Sequence, residues 1–147
     1  MTDEPRRIPC IGGVVRHDGW ILLVLRGQEP SLGLWSIPGG RLEDGETAPE
    51  GCAREVLEET GLRVTVGAWV GQVERAAPSG GIYVIDDYLC TPLQADGGEP
   101  PELTAGDDAA GARWFTRADL DALDAAGQMA SGVLHALRDW HVLPDPS

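Results

Sequence analysis

The chain opens with an arm of mixed polar residues, and from Ile8 the apolar positions crowd together. "IPCIGGVVRHDGWILLVLRG" carries two apolar runs around His17-Asp18-Gly19, which predicts a hairpin whose second strand is Trp20 to Leu25. "QEPSLGLWSIPGG" is punctuated by Pro and Gly and reads as a loop ending in a short apolar stretch. The period then changes from two to 3.6. Cys52, Ala53, Val56, Leu57 and Thr60 fall on one side of a predicted helix, and Glu55, Glu58 and Glu59 fall on the other. Thr47 and Glu50 form a capping-box pattern at its start, and Gly61 supplies the stop. "LRVTVGAWVGQVERAA" and "GIYVIDDYLCTPL" read as strands joined at Pro78-Ser79-Gly80-Gly81. A polar, acidic loop follows, then a short strand, "ARWF". Thr116 caps "RADLDAL", and Met129 to Trp140 reads as a closing helix with Val133, Leu134, Leu137 and Trp140 inward. These elements make an α/β chain with a mixed sheet and few helices. At 147 residues the expectation is one domain, 1–147, with 1–7 as a loose arm.

Composition narrows the function classes. No apolar run is long enough to span a bilayer, and the first residues lack the apolar stretch of a secretory signal, so the expected location is cytoplasmic. Cys10, Cys52 and Cys90 are odd in number and widely spaced, which fits reduced, buried thiols. The net charge of −13 disfavours nucleic acid and anionic membranes as partners. Every cation is an arginine. A phosphate-bearing substrate would need local help, from a metal ion or from placed arginines.

The acidic helix face asks for such help. Like charges at i,i+4, as at Glu55 and Glu59, cost about 0.2–0.5 kcal/mol. Glu58 and Glu59 at the negative end of the helix dipole cost roughly 0.3–1 kcal/mol each if exposed. Only Arg54 lies near enough on the helix to offset them. A hard divalent cation, Mg²⁺ or Mn²⁺, favours carboxylate oxygens and leaves room for phosphate oxygens.

"GRLEDGETAPEGCAREVLEETGL", residues 40–62, resembles the Nudix box, G-x5-E-x7-R-E-U-x-E-E-x-G-U with U a bulky apolar residue. Gly40, Glu46, Arg54, Glu55, Val56, Glu58, Glu59, Gly61 and Leu62 fill every specified position. "GLWSIPGG" and "ARWF…ADL" extend the resemblance across most of the chain. It implies an α/β/α sandwich around a mixed sheet, with a loop-helix-loop metal site. It also implies Mg²⁺-dependent hydrolysis, with Mn²⁺ as a substitute, of a nucleoside diphosphate linked to a group X. Glu55, Glu58, Glu59 and the carbonyl of Gly39 match the family's metal ligands. Glu58, Glu55 and Arg54 match its catalytic constellation, with Arg54 orienting carboxylates beside Glu46. The general base is left open between a box glutamate and a distal acid, for which Asp107 and Asp108 are the candidates. Arg26 and Arg41 are candidate phosphate-binding cations, and Trp35 or Tyr83 is a candidate platform for a base.

The nearest subgroup resemblance is to bacterial ADP-ribose pyrophosphatase-like members, which makes ADP-ribose the expected substrate and AMP and ribose 5-phosphate the products. One alternative is a pyrophosphohydrolase acting on oxidised dGTP, although the chain has no asparagine for purine discrimination. Another is a non-catalytic ADP-ribose sensor. Family members are often dimers, and the regions of Trp69 and Trp140 offer an apolar patch for a homodimer.

Overall fold

The computed structural model describes residues 4–93, 98–104 and 109–146. Its elements are β1 (Arg7–His17), β2 (Trp20–Arg26), β3 (Trp35–Ser36), β4 (Gly39–Arg41), α1 (Ala48–Thr60), β5 (Val64–Ala76), β6 (Ile82–Pro92), β7 (Ala109–Phe115), α2 (Arg117–Ala125) and α3 (Val133–Asp139). The strands run in the order β3-β2-β1-β6-β5, with β4 also on β1 and β7 also on β2. β1 and β6 are parallel and the other pairs antiparallel, so the sheet is mixed.

Both faces of the sheet are covered. Val15, Leu22 and Cys90 pack against Cys52 and Val56 of α1. Val14, Ile21, Leu23 and Phe115 pack against Leu120 of α2 and Leu134 and Leu137 of α3. Neighbouring residues, Val14 and Val15 or Leu22 and Leu23, therefore enter opposite cores. That is why β1 and β2 read as unbroken apolar runs and not as alternations. Among the described residues, no helix is long and apolar enough to cross a membrane.

Four expectations change in detail. The β1–β2 hairpin pairs only at Arg16↔Ile21 and His17↔Trp20. Beyond that the strands part, β1 to β4 and β6, β2 to β3 and β7. His17, read as part of the turn, is the buried end of β1 beside Trp114. The arm is held at its far end, where Arg7 begins β1 and the Arg6 carbonyl accepts from Ile82 N at 2.7 Å. The closing helix begins at Val133, not Met129, because the preceding backbone is engaged by β3. Trp35 N donates to Gln128 O at 2.9 Å and Ala130 N donates to Trp35 O at 2.8 Å. Gly132, in the left-handed region at φ 79°, separates that bridge from the helix.

Candidate active site

The site is built on the passage from β4 into α1. Glu43 N donates to Glu46 Oε1 at 3.0 Å, which turns the connecting loop. Thr47 caps the helix reciprocally with Glu50: Glu50 N donates to Thr47 Oγ1 at 3.2 Å and Thr47 N to Glu50 Oε1 at 3.0 Å. Gly61, at φ 72°, ends it by donating its N–H to Leu57 O. Cys52 and Val56 fix the helix rotation by burying its apolar side. The polar side is thereby turned towards β4.

Arg54 is the hub of that side. Its Nε donates to Glu46 Oε2 at 2.6 Å and its Nη2 to Glu46 Oε1 at 3.0 Å, a bidentate pair. Nη1 donates to Glu55 Oε1 at 2.9 Å and to Glu58 Oε2 at 3.2 Å, while Nη2 also reaches the Arg41 carbonyl at 3.1 Å. The guanidinium, followed by the Glu43 backbone N–H, draws the Glu46 carboxyl down to about 2. The carboxylates in turn raise the Arg54 pKa.

Glu55 and Glu59 stand differently. They meet each other where β4 passes beneath the helix. A Cβ at Gly40 would lie 2.6 and 2.8 Å from the Glu55 carboxylate oxygens, so only glycine leaves room for that carboxylate. Glu59 Oε1 accepts a long bond, 3.4 Å, from Gly39 N. Burial first, then the charge of Glu55, pushes the Glu59 carboxyl up to about 8, and the more distant Arg26 opposes the shift. Glu58 is more than half exposed and faces away, towards Arg54.

Among the described residues, no three His, Cys, Asp or Glu side chains converge tightly enough to hold a metal ion as they stand. The donor set nevertheless fits a hard divalent cation. Two carboxylates press together over a bare glycine; Arg54 reaches only Glu55 of the pair, one weak backbone donor reaches Glu59, and the raised Glu59 carboxyl keeps a proton at neutral pH. A divalent cation takes the place of such a proton. Glu58 would complete the set by leaving Arg54.

Glu55 and Glu59 open into a cleft of about 470 Å³, a size suited to a small-molecule ligand. Three arginines line it: Arg26, Arg41 and Arg75. Arg26 donates through Nε to the Pro30 carbonyl, which steadies the loop after β2. Arg41 hydrogen-bonds Tyr83 and lies 5.5 Å from its ring centroid. In an otherwise acidic chain this is where an anion finds local cations. Tyr83 lines the cleft, but Trp35 does not. Trp35 packs edge-on against Phe115 with centroids 4.9 Å apart, in the core beside α3. The platform expected at Trp35 is corrected accordingly, because the β3 bridge turns that ring inward. Asp107 and Asp108 lie outside the described residues.

Two cleft residues are absent from the sequence-based set. Arg75, on β5, reaches the Ser131 carbonyl at 3.2 Å. Asp87, on β6, is buried in the cleft wall. The signal for Asp87 was available: it is a carboxylate at an inward position of an otherwise apolar alternation, Tyr83, Ile85, Asp87, Leu89.

Comparison with known proteins adds to this geometry. The family model described as the NUDIX domain matches residues 6–137. An ADP-ribose pyrophosphatase of Methanocaldococcus jannaschii is 36% identical over 114 residues, 78% of this chain and 64% of that protein. An NAD-capped RNA hydrolase, NudC, of Vibrio vulnificus is 34% identical over 131 residues, 88% of this chain and 46% of that protein. The chain thus spans between about half and two-thirds of these curated relatives. Among solved structures, a NUDIX hydrolase from Nitrosomonas europaea superposes with a TM-score of 0.74 at 24% identity, covering 95% of this chain and 93% of that one.

Proposed function

The chain belongs to the Nudix family, and on that premise we propose that it is a metal-dependent pyrophosphohydrolase acting on a nucleoside diphosphate linked to a second group, with ADP-ribose as the foremost substrate. One observation carries the reading: the paired carboxylates of Glu55 and Glu59 share a cleft with Arg26, Arg41 and Arg75. A carboxylate pair alone would repel a diphosphate, and arginines alone would bind it without hydrolysing it. The relative named ADP-ribose pyrophosphatase supports the choice of substrate.

Mg²⁺, with Mn²⁺ as substitute, would be held by Glu55, Glu59, Glu58 and the Gly39 carbonyl and would supply charge neutralisation and Lewis acidity at the diphosphate. The protein's own contribution is positional. Arg54 holds Glu55 in one orientation through a 2.9 Å bond, and Glu46 holds Arg54 through two. Arg26 and Arg41 line the cleft and would grip phosphate oxygens there. A carboxylate accepts the proton of the attacking water as it adds to phosphorus in line with the leaving phosphate.

The test is turnover of ADP-ribose with Mg²⁺ or Mn²⁺, following AMP and ribose 5-phosphate, beside oxidised dGTP as competitor. Release of AMP from ADP-ribose supports the proposal. Preference for oxidised dGTP overturns the substrate, and binding without turnover of any phosphoric anhydride identifies a sensor instead.

A further inference from the structure

Across the sheet, at right angles to the strands, one row reads Gly39, Gly12, Asp87, Gly71 on β4, β1, β6 and β5. Three of its four positions have no side chain. Trp140 lies over Gly71, where a Cβ would come within 2.1 Å of its ring. Over Gly12 it is Asp87 that takes this place, its Oδ1 only 2.2 Å from where a Cβ would be, with Ile37 Cδ1 at 3.3 Å. A Gly39 Cβ would run into the β1 backbone, 2.3 Å from the Ile11 carbonyl oxygen. Gly12, Gly39 and Asp87 line the cleft and Gly71 does not, so Asp87 is the one side chain of the row that the cleft meets.

The Asp87 carboxyl is 2% exposed, and among the described residues its Oδ1 has no hydrogen-bond partner. Arg75 is near enough to attract it, but donates to the Glu74 and Ser131 carbonyls instead. Burying a carboxyl without a donor is costly, and replacing it by an apolar residue would suit its neighbours Ile85 and Leu89. The apolar side chains of Ile37, Val73 and Val133 line the same cleft. The arginines Arg26 and Arg41 and the carboxylates of α1 occupy the cleft too, so a nucleotide has a place for both its parts.

We propose that Asp87 is a specificity-determining residue that reads the edge of the substrate's nucleobase, its carboxylate accepting a hydrogen bond from an exocyclic amino group. The inference rests on the pyrophosphohydrolase reading above and adds the residue that selects the base. An amino base such as adenine completes the orphaned acceptor. A keto base such as hypoxanthine sets an oxygen against it, and an unpaired buried acceptor is where discrimination becomes large.

The test compares ADP-ribose with its hypoxanthine counterpart in wild type and Asp87→Asn. At pH 8 the wild type favours the adenine compound in kcat/KM by roughly tenfold or more. In Asp87→Asn the preference collapses towards parity, because a carboxamide offers both a donor and an acceptor. A wild-type ratio near one, or a preference unchanged by the substitution, overturns the proposal. An equal loss of kcat on both substrates also overturns it, by making Asp87 a proton acceptor.

If Asp87→Asn does not fold, the wild type decides by its pH profile. Burial, then the charge of Asp86, pushes the Asp87 carboxyl up to about 7 against the pull of Arg75, and the Cys90 thiol feels its charge. The protonated acid can donate to the keto oxygen, so the adenine preference falls as pH drops through that value. Taking a ratio of two substrates removes the titration of the glutamates common to both. A flat ratio overturns the proposal. If there is no turnover at all, the pyrophosphohydrolase reading fails separately, and tighter binding of ADP than IDP, measured by calorimetry, decides for or against Asp87.

Discussion

Glu46 and Glu59 are two glutamates of one motif, thirteen residues apart, in opposite states. Glu46 accepts two bonds from Arg54, and its carboxyl is drawn down to about 2. Glu59 has the charge of Glu55 beside it and one long N–H bond, and its carboxyl is pushed up to about 8. The difference is not one of residue type or helix propensity. It comes from where the single arginine of the helix was placed. Arg54 satisfies the outer carboxylates and, by holding Glu55, presses it against Glu59. The outer network supplies rigidity, and the inner pair retains an unmet demand for positive charge. A site that binds a cation needs both, because a fully satisfied cluster would have nothing to offer it.

Neutralising each glutamate separates the two roles, and the largest effect falls on the inner pair. Glu59→Gln lowers turnover by roughly 10²–10³-fold, since a lost metal ligand forfeits several kcal/mol of transition-state stabilisation. The same substitution raises the metal-free melting temperature above about pH 8, where it removes a repulsive buried charge. Glu46→Gln reverses the effect on stability and weakens the effect on rate. Its melting temperature falls, and its turnover falls less, by roughly tenfold, as expected for a partner one step removed from the metal. Thermal melts without metal and steady-state rates with Mg²⁺ check both. Parallel behaviour of the two variants would erase the distinction.

The box was legible because its chemistry is local in sequence. One helix, with a cap at Thr47, a stop at Gly61 and three glutamates opposite Cys52 and Val56, fixes which side chains share a face. The state of those glutamates was not legible, because it depends on Gly40 passing under Glu55 and on Gly39 reaching Glu59. Arg75 and Asp87 join the cleft only through the registers of β5 on β6 and β6 on β1. The alternation within β6 states which way Asp87 faces, but which residues it meets across the sheet is a property of the pairing. The parallel β1–β6 pair is of that kind: it joins strands some seventy residues apart that no hairpin signal connects. Trp35 was misplaced for the same reason, since its direction is decided by a bridge to Met129.

The comparison sharpens further with pH. Glu46 is lowered in the folded state, so its contribution to stability is present above the ordinary carboxylate range and is lost as pH falls towards about 2. Glu59 is raised, so the folded state holds a proton that the unfolded chain gives up. Metal-free stability from this group is greatest below about 4.5 and declines as pH rises to about 8, beyond which the loss is complete. Asp87 adds a decline of the same sign up to about 7. Melting temperatures from pH 4 to 9 should therefore fall on the alkaline side without metal. In excess Mg²⁺ the Glu59 share of that fall should vanish, leaving the share of Asp87.

A smaller effect counts the proton itself. If the inner pair holds one proton at neutral pH and a cation replaces it, Mg²⁺ binding at pH 7 should release about one proton, and at pH 9.5 almost none. Calorimetry in two buffers of different ionisation enthalpy measures this without any substrate. Glu59→Gln should abolish the release and Glu46→Gln should leave it intact, because a carboxyl drawn down to about 2 has no proton to give at pH 7. Release that survives Glu59→Gln would place the proton elsewhere and end the contrast between the two glutamates. Release that disappears in Glu46→Gln would show that Arg54, once free of Glu46, moves in to neutralise the inner pair. The hub would then set the charge of the site as well as its shape.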